Sequence, residues 1–471
     1  MNHPMKNLTK FTYSIGQISP EIKNTLFHYF FILFFSTVMG LPATLVGLAI
    51  FITLIIDAIT DPIMGGISDE WRSKIWGRRH LFMLLSAIPT GIGLWFIFSP
   101  PLSLSDTNLF IWMLSFAILV RLGLTLFYIP YLALNAELTD SYDERTEISS
   151  LRTIFGELFK IGLIALFFTV FLVDPNPNID GRMNPIAYSQ MGQVGAIFAV
   201  IAILISTLGT FNQIPRLEKK VSSSKSIKWW KGYGEIVKAL RFKAFRSLSL
   251  GFIFFNITAG ITTGLGLYFM TYFWEFTQEK IMYILIVMGI AVIPGAIIAP
   301  IIQKKYDKKS GVIIALIFYA ITYCTPIMLR LLGLMPENNT TNVFYLMLLF
   351  YFLGQISVMI GLILSESMMA DVTDDYELST EKRQEGLLYS ATMFARKATF
   401  GVGGFFAGII LDIVHFPVKT NPGEVDISIL WNLGFIIIPV VLLLQLISAF
   451  FFKFYPITRA IHEKTLESLN R

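Results

Sequence analysis

Two aspartates stand four residues apart near the end of a long apolar run, in Asp57-Ala58-Ile59-Thr60-Asp61-Pro62, with Gly65 and Gly66 just after. In a helix that spacing sets both carboxylates on one face, about one turn from each other. Near a bilayer centre each charge costs roughly 2.5 to 3.5 kcal/mol on insertion scales, so the pair requires a partner: a cation, a proton or a basic side chain. The chemistry on offer is reversible cation binding. Catalytic chemistry has no comparable constellation. Five histidines, His3, His28, His80, His415 and His462, form no HExxH pair, and neither a Walker loop nor a GxSxG elbow occurs.

More ionisable residues fall inside apolar segments: Glu21, Glu157 and Glu366, and Lys23, Arg121, Arg152, Lys160, Arg396 and Lys397. Such residues point to function by default, because their cost must be offset by partners or water. Glu157 and Lys160, three apart, predict a plain ion pair along one helix. Arg396 and Lys397 are adjacent and face different directions, so at most one points into a cavity.

The elements that carry these groups are membrane spans. A chain of 471 residues with 54% hydrophobic and 15% charged residues and a mean hydropathy of +0.64 is far more apolar than a soluble domain. The net charge of +5 does not indicate nucleic acid, because the basic residues cluster between apolar segments, as topology requires. One cysteine, Cys324, excludes a disulfide framework within the chain. Apolar segments fall at about 12 to 37, 43 to 68, 81 to 100, 107 to 134, 149 to 173, 191 to 214, 246 to 273, 281 to 302, 311 to 333, 343 to 370, 387 to 414 and 428 to 453. That predicts twelve helices, the first retained, since no small-residue cleavage site follows it. With both termini inside, the inner segments hold 27 Lys and Arg and the outer ones 4, Arg182, Lys280, Arg330 and Lys419.

The long inner connection divides the chain into 1–215, a linker at 216–245, a second bundle at 246–454 and a tail at 455–471. Within the linker, Trp229, Tyr233, Ile236, Val237, Leu240 and Ala244 recur at helical spacing with Lys231, Lys238 and Arg241 between them. This pattern fits an amphipathic helix on anionic headgroups or a solvated linker helix, and Gly232 and Gly234 weaken either. An internal repeat supports two halves. Ala136-Glu137-Leu138-Thr139-Asp140-Ser141-Tyr142-Asp143 follows the fourth span, and Ala370-Asp371-Val372-Thr373-Asp374-Asp375-Tyr376-Glu377 follows the tenth. Two parallel six-helix repeats imply a central cavity and alternating access by rocking. Between the second and third spans, Asp69 at one helix end faces Arg78 and Arg79 at the start of the next, a candidate cytoplasmic latch.

Taken together, Asp57-Ala-Ile-Thr-Asp61-Pro62, Gly77-Arg78-Arg79, Ile129-Pro130-Tyr131, Arg145 and Met369-Ala370-Asp371 followed by Lys397 resemble the glycoside-pentoside-hexuronide:cation symporter family of the major facilitator superfamily. The resemblance runs over almost the whole chain and implies an all-α fold of twelve spans that moves a solute with Na⁺ or H⁺, with no cofactor. It implies that Asp57 and Asp61 bind the coupling cation with Thr125 on the fourth span and Lys397 on the eleventh, the lysine competing when the ion is absent. The aspartates should titrate as a coupled pair, and their occupancy should tune solute affinity reciprocally. Asp69, Arg78, Arg79 and Arg145 are the expected cytoplasmic gate. On the solute side Arg152 matches the family's fifth-span arginine. Glu21 replaces a first-span aspartate, Tyr128 stands in place of a fourth-span aspartate and Leu132 in place of a stacking tryptophan. Losing a carboxylate and an aromatic platform points away from a galactoside. Arg121 adds a charge and makes an anionic hexuronide an alternative.

The expected function is cation-coupled symport of a sugar, glycoside or hexuronide by a monomer in the bacterial inner membrane, with lipids and the solute as its partners and no nucleic acid. The rivals are a sodium-dependent lysophospholipid symporter, which shares the DAxxDP pattern, and a non-transporting sensor or intramembrane enzyme. Gly404 and Gly408 form a GxxxG that serves ordinary helix packing or a dimer. Asn338 and Asn339 head sequons that matter only in a eukaryotic secretory route.

Overall fold

The computed structural model describes residues 7–73, 75–139, 142–173, 180–219, 239–338, 340–380 and 385–469; the side chains at 136, 142, 143, 145, 146, 218, 219, 385–387 and 390 are also outside that description. The linker positions Trp229, Tyr233, Ile236 and Val237, Asn339 and the side chain of Arg145 therefore lie outside the described residues. All elements among the described residues are helical. They fall into two compact units: Met1–Trp229 with Val418–Thr420, and Trp230–Pro417 with Asn421–Arg471.

The first unit opens with α1 (Asn7–Ile15) and α2 (Ile18–Thr25), followed by α3 (Ala43–Glu70), α4 (His80–Leu85), α5 (Ala87–Ile97), α6 (Asp106–Leu138), α7 (Tyr142–Leu166), α8 (Pro185–Gly209) and α9 (Ile214–Lys219). The second carries α10 (Lys243–Tyr268), α11 (Gln278–Ile290), α12 (Val292–Tyr306), α13 (Lys308–Leu331), α14 (Thr341–Thr380), α15 (Glu385–Ile413), α16 (Ile427–Lys453) and α17 (Arg459–Ser468). Capping marks where several of these begin. Ser105, Asn184, Thr277 and Asp426 each accept a backbone N–H of the first turn of α6, α8, α11 and α16, meeting donors that hydrocarbon could not satisfy.

Among the described residues, eleven helical segments are long and apolar enough to cross a membrane. The expected first span differs: instead of one helix it runs as α1, α2 and two π-helical segments, Leu26–Phe30 and Leu33–Val38. Two residues account for the break after α1. A Cβ on Gly16 would sit 2.6 Å from Ser206 Oγ and 2.7 Å from the Tyr131 ring, so close packing against α8 and α6 requires glycine there. Pro20 lacks the N–H that would extend the ladder back to Gly16.

The acidic repeats continue the spans they follow: Glu137 and Leu138 finish α6, and Ala370 to Glu377 lie on the 40-residue α14. A helix of that length spans about 60 Å, twice the roughly 30 Å of hydrocarbon, so its acidic end stands clear of the apolar layer without leaving the helix.

Small residues let the spans approach. In the second unit a Cβ on Gly260 would lie 2.9 Å from Gly403 Cα and 3.1 Å from the Gly404 nitrogen, so this part of the glycine-rich stretch packs α15 on α10 within the chain. Large exposed side chains such as Ile111, Ile197, Ile293 and Leu443 are scattered along the spans, as a surface solvated by lipid requires. A Gly403→Val variant should lose about 1 to 3 kcal/mol or more through overpacking, read as a lower melting temperature in detergent. Gly162→Ala, where an added methyl meets open space, should leave that temperature unchanged or higher.

Candidate cation site and charge clusters

Asp57 and Asp61 lie one turn apart on α3, and Arg121 and Thr125 lie one turn apart on α6. The two turns face each other. The Thr125 hydroxyl is 2.8 Å from Asp61 Oδ1 and 3.3 Å from Asp57 Oδ1, while Arg121 Nη1 donates to Asp57 Oδ2 at 3.0 Å. Thr60 Oγ lies 3.5 Å from Thr125 Oγ and donates to the Ile56 carbonyl at 2.9 Å. Arg121, Thr125 and Asp57 are buried, at 4%, 4% and 7% exposure, and Asp61 is partly buried. Pro62 has no N–H to offer the Ala58 carbonyl, which loosens the helix beside the two acids.

This geometry has a direct chemical consequence. A hydroxyl carries one hydrogen and so donates fully to only one carboxylate at a time. Two ionised carboxylates held within about 6 Å repel by about 3 kcal/mol at an effective dielectric of 20, before any counter-charge is counted. A monovalent cation or a proton would relieve both defects, and the oxygen donors suit a hard ion. Na⁺ or H⁺ would be a transported co-substrate here, held by the carboxylates with Thr125. Among the described residues no group of three or more His, Cys, Asp or Glu forms a metal cage.

Arg121, expected on the solute side, is therefore placed against Asp57, with the Phe27 ring 5.5 Å from its guanidinium carbon. The other solute-side residues gather elsewhere in the first unit. Gln17 Nε2 donates to Glu21 Oε1 at 3.0 Å, and the Cγ atoms of both flank Gly156 on α7. One turn earlier on α7, Arg152 lies 6.0 Å from the Tyr131 ring, which stacks on Tyr13 at 4.4 Å; Tyr128 stacks beside Tyr131 at 6.2 Å. Glu21, Tyr128 and Arg152 thus share one polar and aromatic neighbourhood with Gln17, Tyr13 and Tyr131. In the second unit Arg396 reaches Glu366 at 2.9 Å, and the adjacent Lys397 is partly buried on α15. Glu157 and Lys160 form the intrahelical pair that their spacing predicts, at 2.5 Å.

A second cluster closes one end of the first unit. Arg79 binds Asp69, Ser68 Oγ at 2.5 Å and Glu137 Oε1 at 2.8 Å, and Arg78 reaches the same Glu137 oxygen at 2.6 Å. Arg79 is buried at 5% exposure, whereas Asp69 is exposed. The sequence reading paired the arginines with Asp69 alone and missed Glu137. The signal lay in the repeat, for the second unit is built alike: Asp371, aligned with Glu137, takes Lys308 at 2.6 and 2.7 Å, and His462 on α17 stands 3.2 Å from Asp374. In both halves the acid lies in the last part of a long helix and the base precedes or begins a neighbouring one.

A bundle of apolar spans with an intramembrane carboxylate pair defines a multi-pass secondary transporter. The chain belongs to the family described as MFS/sugar transport protein, which matches residues 12–459 and is the glycoside-pentoside-hexuronide:cation symporter family its motifs resemble. It is 25% identical to an uncharacterized symporter, sll1374, of Synechocystis, covering 98% of this chain and 96% of that one. It is 24% identical to the putative glycoside/cation symporter YagG of Escherichia coli, over 87% of this chain and 83% of that protein. It is 22% identical to the sodium-dependent lysophosphatidylcholine symporter 1 of Gallus gallus, over 98% and 89%. Among solved structures, the nucleoside transporter NupG superposes with a TM-score of 0.66 at 15% identity, covering 95% of this chain and 100% of that one, which establishes the major facilitator fold. The protein is a symporter of a small-molecule solute and not an enzyme.

The end cluster makes a stability prediction. Arg79→Ala removes the buried guanidinium that binds Ser68, Asp69 and Glu137, while Glu137 keeps Arg78, and should cost about 1 to 2 kcal/mol, read as a lower denaturation midpoint. Arg72→Ala, whose exposed guanidinium meets only the Asp69 and Trp71 carbonyls among the described residues, should change stability by no more than about 0.5 kcal/mol.

Proposed function

We propose that this protein is a cation-coupled symporter of a sugar, glycoside or hexuronide, working by alternating access in a bacterial plasma membrane with both termini inside. The observation that carries the proposal is the pair of intramembrane carboxylates, Asp57 and Asp61, converging on the single hydroxyl of Thr125. The two carboxylates repel each other and are relaxed by a monovalent cation, so ion binding and release can drive a conformational change. The role of Lys397 implied by the family resemblance is kept as part of this reading. Glu21, Gln17, Tyr128 and Arg152 are proposed as the solute contacts: they supply a carboxylate, an amide, aromatic faces and a guanidinium, the groups that recognise hydroxyl-rich molecules. Asp69, Glu137, Arg78 and Arg79, with Arg145, are proposed as the inner gate. The positive-inside charge pattern supports this assignment of sides.

A second reading, symport of a lysophospholipid, is favoured by the full-length similarity to the lysophosphatidylcholine symporter. Counterflow in proteoliposomes separates the two. Loading with neutral sugars, acidic sugars or lysophosphatidylcholine, with and without Na⁺ or a pH gradient, should give exchange for a sugar or hexuronide that one cation stimulates. Asp61→Asn should lose at least tenfold of that stimulation. Cation stimulation undiminished in Asp61→Asn would remove the carboxylate pair from the coupling role, and exchange of the lysolipid alone would replace the sugar.

A further inference from the structure

The connection from α3 to α4 encloses a cavity of about 480 Å³ against α9, all of it within the first unit. Three arginines line it, Arg72, Arg78 and Arg79, and they are used very differently. Arg79 is spent: it is 5% exposed, and its guanidinium binds Ser68, Asp69 and Glu137. Arg72 gives only Nη1, to the Asp69 and Trp71 carbonyls, so among the described residues its Nε and Nη2 edge makes no hydrogen bond. Arg78 gives only Nη2, to Glu137 Oε1 at 2.6 Å, and its Nε is buried without a partner. An Nε and Nη2 edge is a rigid fork that matches two oxygens of one phosphate, so Arg72 offers this cavity an unused anion-binding edge.

The remaining walls suit an organic ester of such an anion. Trp71 is 42% exposed with its ring edge-on to Phe82, and Ile214 and Leu217 of α9 supply an apolar side. Gly77 lets the chain close on that side: its φ is +59°, and a Cβ there would lie 3.1 Å from Ile214 Cγ2. Glu137, the carboxylate in the lining, already accepts from both Arg78 and Arg79.

We infer that this cavity is a phosphate-ester site: Arg72 and Arg78 hold the phosphate, and the organic part lies against Trp71, Ile214 and Leu217. Phospholipid headgroups at a membrane boundary and small dissolved esters both carry this chemistry. An occupant would compete with Glu137 for Arg78 and so loosen one bond of the end cluster. That consequence for transport rests on the gate proposed above, whereas the site itself does not. Its test reads binding on the purified protein, so failure of counterflow leaves it standing.

The experiment has two arms, run on the full-length protein at matched ionic strength. In detergent, thermal shift is titrated with glycerol 3-phosphate and inorganic phosphate against chloride. In the second arm phosphatidylglycerol or phosphatidylcholine is titrated into the micelles and bound lipid is counted by native mass spectrometry. Stabilisation by glycerol 3-phosphate above chloride assigns a dissolved ester, and preference for phosphatidylglycerol over phosphatidylcholine assigns a lipid. In the arm that responds, Arg72→Ala should lose about tenfold or more in affinity. Arg72→Lys, which keeps the charge without the fork, should lose about threefold or more. Arg78→Gln should weaken binding as well, and Lys453→Ala on α16, outside the cavity, should match the wild type. No response in either arm overturns the inference. So does wild-type affinity in Arg72→Ala or in Arg72→Lys, the latter marking unspecific charge attraction. Arg72 bonds only to backbone carbonyls, so its variants decide the matter even where Arg78→Gln does not fold.

Discussion

A charge inside an apolar layer must meet its opposite within a few ångströms, and much of this protein's polar structure follows from that constraint. Asp57 meets Arg121 across α3 and α6, Glu157 meets Lys160 along α7, and Glu366 meets Arg396 across α14 and α15. Two of these three pairs join different helices. They supply the directional contacts that lipid-solvated helices cannot obtain from the hydrophobic effect, since hydrocarbon surrounds them in any arrangement. Asp57 and Asp61 differ from the other acids because they share one neighbourhood, meeting on the single hydroxyl of Thr125.

The two end clusters express the same constraint at the membrane boundary. Glu137 on α6 and Asp371 on α14 close each unit against bases that precede α4 or begin α13. Arg79 and Asp371 are buried but their partners Glu137, Arg78 and Lys308 are partly exposed, so these networks form and break at less cost than pairs wholly within hydrocarbon. That property suits elements that rearrange during transport, whereas the glycine contact between α10 and α15 suits a rigid seam.

Much of this was legible in the sequence because it follows from local spacing. The i,i+4 aspartates, the i,i+3 pair of Glu157 and Lys160, the apolar run lengths and the duplicated acidic stretch each required only neighbours along the chain. Arg121 was visible as an intramembrane cation, but its partner is 64 residues away, and periodicity says nothing about which helix it faces. Glu137 stands in the repeat, but its partners Arg78 and Arg79 are 59 and 58 residues away, beyond what local spacing reveals. The break in the first span was legible only in part. Pro20 stands in the sequence, but the packing of Gly16 against Ser206 and Tyr131 is a tertiary contact.

The central claim is that cation movement is tied to solute movement through Asp61 and its neighbours. Its most direct test is solute-driven ion flux. Proteoliposomes are equilibrated with Na⁺ at one pH and no membrane potential, solute is added outside, and internal Na⁺ and pH are followed by fluorescent reporters. The account predicts that one cation enters with the solute in a fixed ratio and that Asp61→Asn abolishes this co-entry. Solute entry with no accompanying cation, or the same co-entry in Asp61→Asn, would contradict it.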